Sequence, residues 1–554
     1  MTGSVGTRIS MGAAPGSVRV GAVPQAVVAP DRQRNRPIER KFALPTDTRF
    51  RYAKDVPTLL PSSRIIGLAW VLCCGGIGCS SSAAIAAEPK RTQVVAQAQV
   101  PRSPLTRLSR WVETRGGKLS VSVAEADSGR AVLSLEGGVP RNPASVTKLV
   151  TAKGALKVLG PTFTFETTIH GVIADGRIER LVLRGGGDPT VTTNDLRSTV
   201  DELLRLGLSS GVGDVVVDQS AFDDPYVPPA YEQQPNEWAA FRAPVCAMAV
   251  DRNRVRIRVY PTRAGAPARV VVDPLGYVIG DFDIATVAGR LSEPKVTVQL
   301  EPVESRLRVR VRGNIGERDG VVTLERRVDD PRAVAGYVLR ELLRERGIQV
   351  RGSVDVVRGS AEGLPVLVSR RSAPVATLLA ALGKDSDNFT AEMLLLAVGK
   401  SAGAVGSSDA GAKVLLEDLA RLGPLEPGTR IINGSGLFDA NRLSTDLLVR
   451  VLVAQRADAS VYPEYVTQLA TSARDGTLRH RLTGLPNGCV IRAKTGSLRG
   501  TSSLSGYVAR PEGVTLAFGV IVEGIADMAA PRPEIDAFVA SLCLGSPTAS
   551  LESR

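Results

Sequence analysis

The stretch Pro143-Ala144-Ser145-Val146-Thr147-Lys148-Leu149-Val150-Thr151 sets a hydroxyl and an amine three residues apart where a helical pattern begins. Leu149, Ala152, Ala155, Leu156 and Leu159 recur at helical spacing, so Ser145 and Lys148 share one face, a turn apart. Two such groups can share a proton. The helix N-terminus supplies partial positive charge and free backbone N–H groups, which favour negative charge on the serine oxygen and on a tetrahedral intermediate. A lysine desolvated in such a place loses its proton near neutral pH and acts as a base. Taken alone, Ser-x-x-Lys is a weak pattern that reads more readily as a capping serine beside a solvated lysine.

Two further elements give it meaning. Ser386-Asp387-Asn388 precedes the helical run Phe389 to Val398. Its residues either cap that helix or place the Ser386 hydroxyl as a proton relay, with the Asn388 amide holding a substrate backbone. Lys494-Thr495-Gly496, followed by Ser497, ends a strand pattern. A cation and a hydroxyl at a strand edge suit a terminal carboxylate, and Gly496 lets a ligand approach the backbone. Ser-x-x-Lys, Ser-Asp-Asn and Lys-Thr-Gly in this order form the signature set of penicillin-binding proteins and serine β-lactamases.

On these motifs the chain resembles the class C low-molecular-mass penicillin-binding proteins, the D-alanyl-D-alanine carboxypeptidase/endopeptidase group of peptidase family S13. The resemblance runs from about Leu119 to Leu542. It is strengthened by Gly186-Gly187-Asp188-Pro189-Thr190, Asn433-Gly434-Ser435-Gly436-Leu437, Asn441-Arg442-Leu443-Ser444 and Gly476-Thr477-Leu478-Arg479. Asn433 stands where the family usually has Asp. Ser145 and Ser386 are 241 positions apart, and the resemblance implies two extra domains inserted between them. It also implies roles: Ser145 as nucleophile, Lys148 as base, Ser386 as relay, and Asn388, Lys494, Thr495, Gly496 and Ser497 as the substrate-binding set, without metal or cofactor. The implied partners are peptidoglycan peptides ending in D-Ala-D-Ala or carrying D-Ala cross-links, and β-lactam antibiotics. A serine β-lactamase and a non-catalytic wall-binding protein on the same fold are the alternatives. No Glu-x-x-Leu-Asn pattern of the class A lactamases stands between Ser386 and Lys494.

The texture of the chain agrees with an interrupted α/β domain. Leu119–Val123 and Ala131–Leu135 alternate as strands around Asp127-Ser128-Gly129-Arg130, predicting a hairpin. Residues 166–366 are β-rich, with runs at Val215–Val217, Val255–Tyr260, Val296–Leu300 and Leu307–Val311. Helical spacing returns at Val375–Leu382, Phe389–Val398, Ala412–Leu422 and Leu447–Val453. Strand patterns at Val490–Thr495, Leu504–Val508 and Val514–Val522 and a helix at Glu534–Leu542 close the chain. The expected architecture is an antiparallel sheet flanked by helices, of the penicillin-binding-protein and serine β-lactamase type. It comprises residues 103–165 and 367–545, interrupted by the β-rich domains of 166–366, with a tail at 546–554.

Upstream, residues 1–64 hold 11 basic against 4 acidic side chains, leaving 58 against 52 in the remainder. The formal charge of +13 is therefore concentrated in a leader expected to be unfolded, and nucleic acid is not an expected partner. Ile65–Cys74 and the small residues to Ala87 have the parts of a secretory signal, predicting export with cleavage near Ala86 or Ala87. A membrane anchor and lipidation at Cys79 are the alternatives. Residues 88–102 read as a linker. Of six cysteines, Cys246, Cys489 and Cys543 lie beyond the signal, allowing one bridge of undetermined pairing. With two histidines, His170 and His480, and no Cys/His cluster, zinc hydrolase chemistry is excluded and a Ser-His-Asp triad is disfavoured.

Overall fold

The computed structural model describes residues 102–544 apart from Asp224 and Ser360. The basic leader, the signal region, nearly all of the linker and the C-terminal tail lie outside the described residues. The predicted hairpin forms as Lys118–Glu125 and Ala131–Leu135, with Gly129 at a left-handed φ of 70° in the turn. Thr515–Ile525 pairs with its first strand, so the two ends of the described chain meet in one sheet. The full order is Ala470–Thr471, Val490–Leu498, Gly500–Ala509, Thr515–Ile525, Lys118–Glu125 and Ala131–Leu135, antiparallel throughout.

Strand alternation divides this sheet between two cores. On one face Val121, Leu504, Phe518 and Val520 meet Leu108 and Val112 of helix Arg102–Glu113, and Ile535 and Phe538 of helix Arg532–Ser541. On the other, Tyr507, Ala517 and Ile521 join Leu149, Leu395 and Leu448 of helices Lys148–Val158, Asn388–Ser401 and Thr445–Ala457. Lys148–Val158 is buried on nearly every side, including Lys148 itself. A helix enclosed this way holds its polar side chains in fixed positions, because exposing them means unpacking the core.

The sequence left the cysteine pairing open, and the fold settles it: Cys489 bonds to Cys543, 54 residues away, while buried Cys246 is free. The bridge ties the start of the Val490–Leu498 strand to the end of the last helix. A Cys489→Ser substitution is expected to cost about 2–4 kcal/mol of stability, from the loop it releases in the unfolded chain. Melting with and without reductant checks this: reductant should lower the wild-type midpoint and leave the variant's unchanged.

The segment after the Lys148–Val158 helix builds three sheets over one hydrophobic cluster. A mixed sheet runs Gln349–Val350, Gly211–Asp218, Arg177–Arg184, Glu166–His170 and Val366–Arg371. Val366–Arg371 lies beside Glu166–His170, so the inserted sheet continues past the boundary drawn at 366. Two three-stranded sheets follow: Val278–Val287 with Arg306–Gly316 and Lys295–Val303, and Val322–Arg327 with Arg254–Tyr260 and Arg269–Asp273. Two helices that the β-rich texture concealed, Thr193–Arg205 and Val334–Glu345, lie between strands that pair in parallel, a pairing that requires such a crossover. The first carries its own sequence signal, a capping box of Thr192 and Asp195 followed by Leu196, Val200 and Leu203.

Candidate active site

Ser145 stands half-buried in a 3-10 turn, Ala144–Thr147, which runs directly into the α-helix beginning at Lys148. The turn is anchored from before it, as the Asn142 side-chain oxygen accepts the Ala144 N–H at 2.9 Å. Lys148 is fully buried. Its Nζ lies 3.0 Å from Ser145 Oγ, 2.7 Å from Asn388 Oδ1 and 2.8 Å from the Ser435 carbonyl. Burial pushes its pKa down to about 7, against the opposing pull of Glu392 and Asp387. A large share of Lys148 is therefore neutral near pH 7, with a lone pair beside the serine hydroxyl.

The Ser-Asp-Asn element comes to the same place from the N-terminus of helix Asn388–Ser401. Asp387 caps that helix by accepting the Thr390 N–H at 2.7 Å. Ser386 has φ +57°, and its Oγ accepts from Lys494 Nζ at 2.9 Å, so its partner is Lys494 rather than Lys148. Asn388 is engaged at both ends of its amide: Oδ1 accepts from Lys148, and Nδ2 donates to the Phe241 carbonyl at 2.9 Å. The bond to Phe241 uses one of the two Nδ2 hydrogens, which leaves the second for a substrate backbone, the role expected from sequence.

Lys494 is buried in strand Val490–Leu498 and donates also to the Thr495 carbonyl at 2.7 Å. Burial, and secondarily the charge of Lys148, hold its pKa well below the usual lysine range. Thr495 Oγ1 donates to Thr477 Oγ1 at 2.9 Å, and Ser497 Oγ accepts from Arg532 Nη2 at 3.3 Å. Gly496 is needed for a different reason from the one its sequence suggested. A Cβ there would collide with Ser503 Oγ and lie 2.7 Å from the Pro143 carbonyl, so the strand packs directly on the turn that carries Ser145.

The family can now be stated. A family model described as "D-Ala-D-Ala carboxypeptidase 3 (S13) family" matches residues 109–542. The chain belongs to this family, and it is a peptidase. It is 32% identical over 432 residues to the D-alanyl-D-alanine carboxypeptidase of Actinomadura sp. (strain R39), covering 74% of this chain and 78% of that protein. Its fold matches the crystal structure of penicillin binding protein 4 (dacB) from Haemophilus influenzae with a TM-score of 0.66, at 22% identity, over 78% of this chain and 98% of that one. The same Haemophilus protein complexed with a novel β-lactam matches with a TM-score of 0.63 at 23% identity, over 78% and 98% of the two chains.

In this S13 peptidase, Ser145, Ser386, Asn388 and Ser497 line one cleft of about 820 Å³. Lys148, Lys494 and Gly496 lie in the protein behind it. Among the described residues, no group of three or more His, Cys, Asp or Glu side chains is arranged to hold a metal ion. Sequence reasoning had not singled out Glu392, Thr477 or Arg532 as site residues. Glu392 sits one helical turn after Asn388, a spacing visible in the sequence, and its buried carboxylate accepts the N–H groups of Gly434 and Ser435 at 2.9 and 2.8 Å. These two bonds fix the loop whose Ser435 carbonyl faces Lys148. Arg532 had no local signal, because it comes from a helix 35 residues beyond Ser497.

Because the Ser145 turn rests on Gly496, Gly496→Ala is expected to slow acylation by on the order of 100-fold through displacement of Ser145. Rates of labelled-penicillin uptake by the folded variant check this, with a wild-type rate as the contrary result.

Proposed function

We propose that this S13 peptidase is an exported serine D-Ala-D-Ala peptidase acting on peptidoglycan stem peptides through an acyl-enzyme at Ser145. The observation that carries this reading is the buried Lys148 amine, 3.0 Å from Ser145 Oγ and with its pKa near neutrality. Neutral Lys148 takes the Ser145 proton as Oγ bonds to the carbonyl carbon between two D-alanines. The oxyanion is received by the backbone N–H groups of Ser145 and Ser497. As the C–N bond breaks, the departing D-alanine amine takes the proton that Lys148 had accepted, with the Ser386 hydroxyl, bonded to Lys494, as relay, and Lys148 is neutral again. The substrate carboxylate lies toward Thr495 and Ser497, where Arg532 supplies a cationic group and the hydroxyls and the Lys494 amine supply donors. Water then attacks the ester, its proton passes by way of Lys148 to Ser145 Oγ as the C–O bond breaks, and the shortened peptide is released. A β-lactam enters the same cleft as a mimic of D-Ala-D-Ala and leaves its acyl group on Ser145.

Export rests on the signal pattern at residues 65–87, with cleavage near Ala86 or Ala87. Two experiments test the proposal. Incubation with labelled penicillin should leave a persistent adduct on Ser145; rapid release of the label would make the chain a β-lactamase, and no label would sink both enzymatic readings. Digestion of defined cell-wall peptides should release D-alanine from pentapeptides, open D-Ala cross-links, or both, and the bond cut names the activity.

A further inference from the structure

Among the contacts that the inserted segment makes with the catalytic elements, three touch groups at or next to the Lys148 amine. The Phe241 carbonyl accepts from Asn388, Tyr231 Oη lies 3.3 Å from Ser435 Oγ, and two arginines grip Asp387. The contact of the two arginines is ionic and bears on the middle residue of the Ser386-Asp387-Asn388 element. One Asp387 oxygen caps the helix through Thr390. The other accepts from Arg254 Nη2 at 2.7 Å and Arg252 Nη1 at 3.3 Å.

The backbone that delivers these arginines is itself unusual. Asp251, Arg252 and Asn253 have φ of 48°, 55° and 51°, a left-handed turn of three consecutive non-glycine residues. Such a turn is disfavoured for L-residues and survives only where its surroundings over-determine it. Here the Asp251 carboxylate accepts the Thr193 N–H at 3.1 Å and the Thr193 hydroxyl, and Asn253, fully buried, donates to the Pro244 carbonyl at 2.9 Å. The strain therefore sits where the insertion meets the Ser386-Asp387-Asn388 loop through charge.

We propose that Arg252 and Arg254 are positioning residues for acylation, through which the insertion holds the Ser386-Asp387-Asn388 loop and balances the charge of Asp387 beside Lys148. This rests on the reading of Lys148 as the base that activates Ser145. The charged and titratable groups around Lys148 are Asp387 and Glu392, which favour its protonated form, Lys494, which opposes it, and Tyr231, whose hydroxyl burial keeps neutral. Asp387 is held ionised by Arg252 and Arg254, and it remains paired with Arg252 when Arg254 alone is removed. Taking away Arg254 leaves its negative charge less balanced. Lys148 then holds its proton to higher pH and is less available as base at neutrality.

The test is the pH dependence of labelled-penicillin acylation in the full chain. Arg254→Ala should lower the second-order rate at pH 7 by on the order of tenfold and move the acid limb upward by about 0.5–1 unit. Arg254→Lys, which keeps the charge, should recover most of both. Asp387→Asn should move the limb the other way, to lower pH. A role confined to stability would lower the melting temperature without moving the limb. Arg252 and Arg254 reach Asp387 from an open cleft of about 590 Å³, so truncation leaves no enclosed void and a folded variant is expected. Folded Arg254→Ala and Arg252→Ala/Arg254→Ala proteins with the wild-type rate and limb would overturn the proposal, as would Asp387→Asn shifting in the same direction as Arg254→Ala. A wild-type protein that takes no label would instead defeat the peptidase mechanism, which keeps the two failures apart.

Discussion

A Ser145→Ala protein is expected to take up no labelled penicillin and to lose peptide cleavage by on the order of 10⁴-fold or more, while melting at the wild-type temperature. The loss follows from removal of the oxygen that forms the acyl bond, since a group acting as nucleophile has no substitute within the site. The unchanged stability follows from position. Ser145 is half-buried at the mouth of the cleft, so losing its hydroxyl opens no core cavity, and Lys148 keeps its bonds to Asn388 and Ser435. Surface substitutions of this kind shift stability by roughly 0.5 kcal/mol or less. Intact-mass detection of the adduct, read beside a thermal melt, makes the check. An adduct of unchanged yield would place the nucleophile elsewhere.

Lys148→Met is the second large effect, expected to slow acylation by about 10²–10⁴-fold, the usual contribution of a positioned general base. The pH profile separates this from mere disruption. In the wild type, the base works only when neutral and its pKa is about 7, so the acylation rate rises with pH through neutrality and levels off above it. Methionine fills the same volume but carries no lone pair of comparable basicity, so the residual activity should lack this limb. A Lys148→Met protein with a wild-type rise through pH 7 would remove Lys148 from the role of base.

Much of this protein is determined by its sequence alone. Ser145 and Lys148 share a helical face because three residues make about a turn. Ser386-Asp387-Asn388 heads a helix because such residues satisfy N-terminal donors, and Lys494-Thr495-Gly496 lies at a strand end in an alternating pattern. Each of these depends on neighbours within a few positions, so residue type and spacing are enough to single out Ser145 and Lys148 as candidate nucleophile and base, the hairpin and the family. The tertiary structure decided what depends on residues far apart in the chain. It joined Cys489 to Cys543, made Lys494 the partner of Ser386, tied the Asn388 amide to Lys148 and Phe241, and turned Gly496 against the Pro143 carbonyl. It also set Arg254 on Asp387 across 133 positions. Local pattern is blind to such contacts, because the side chains that meet are chosen by how sheets and helices pack, and a lysine at position 148 acquires its low pKa only from the core that closes over it.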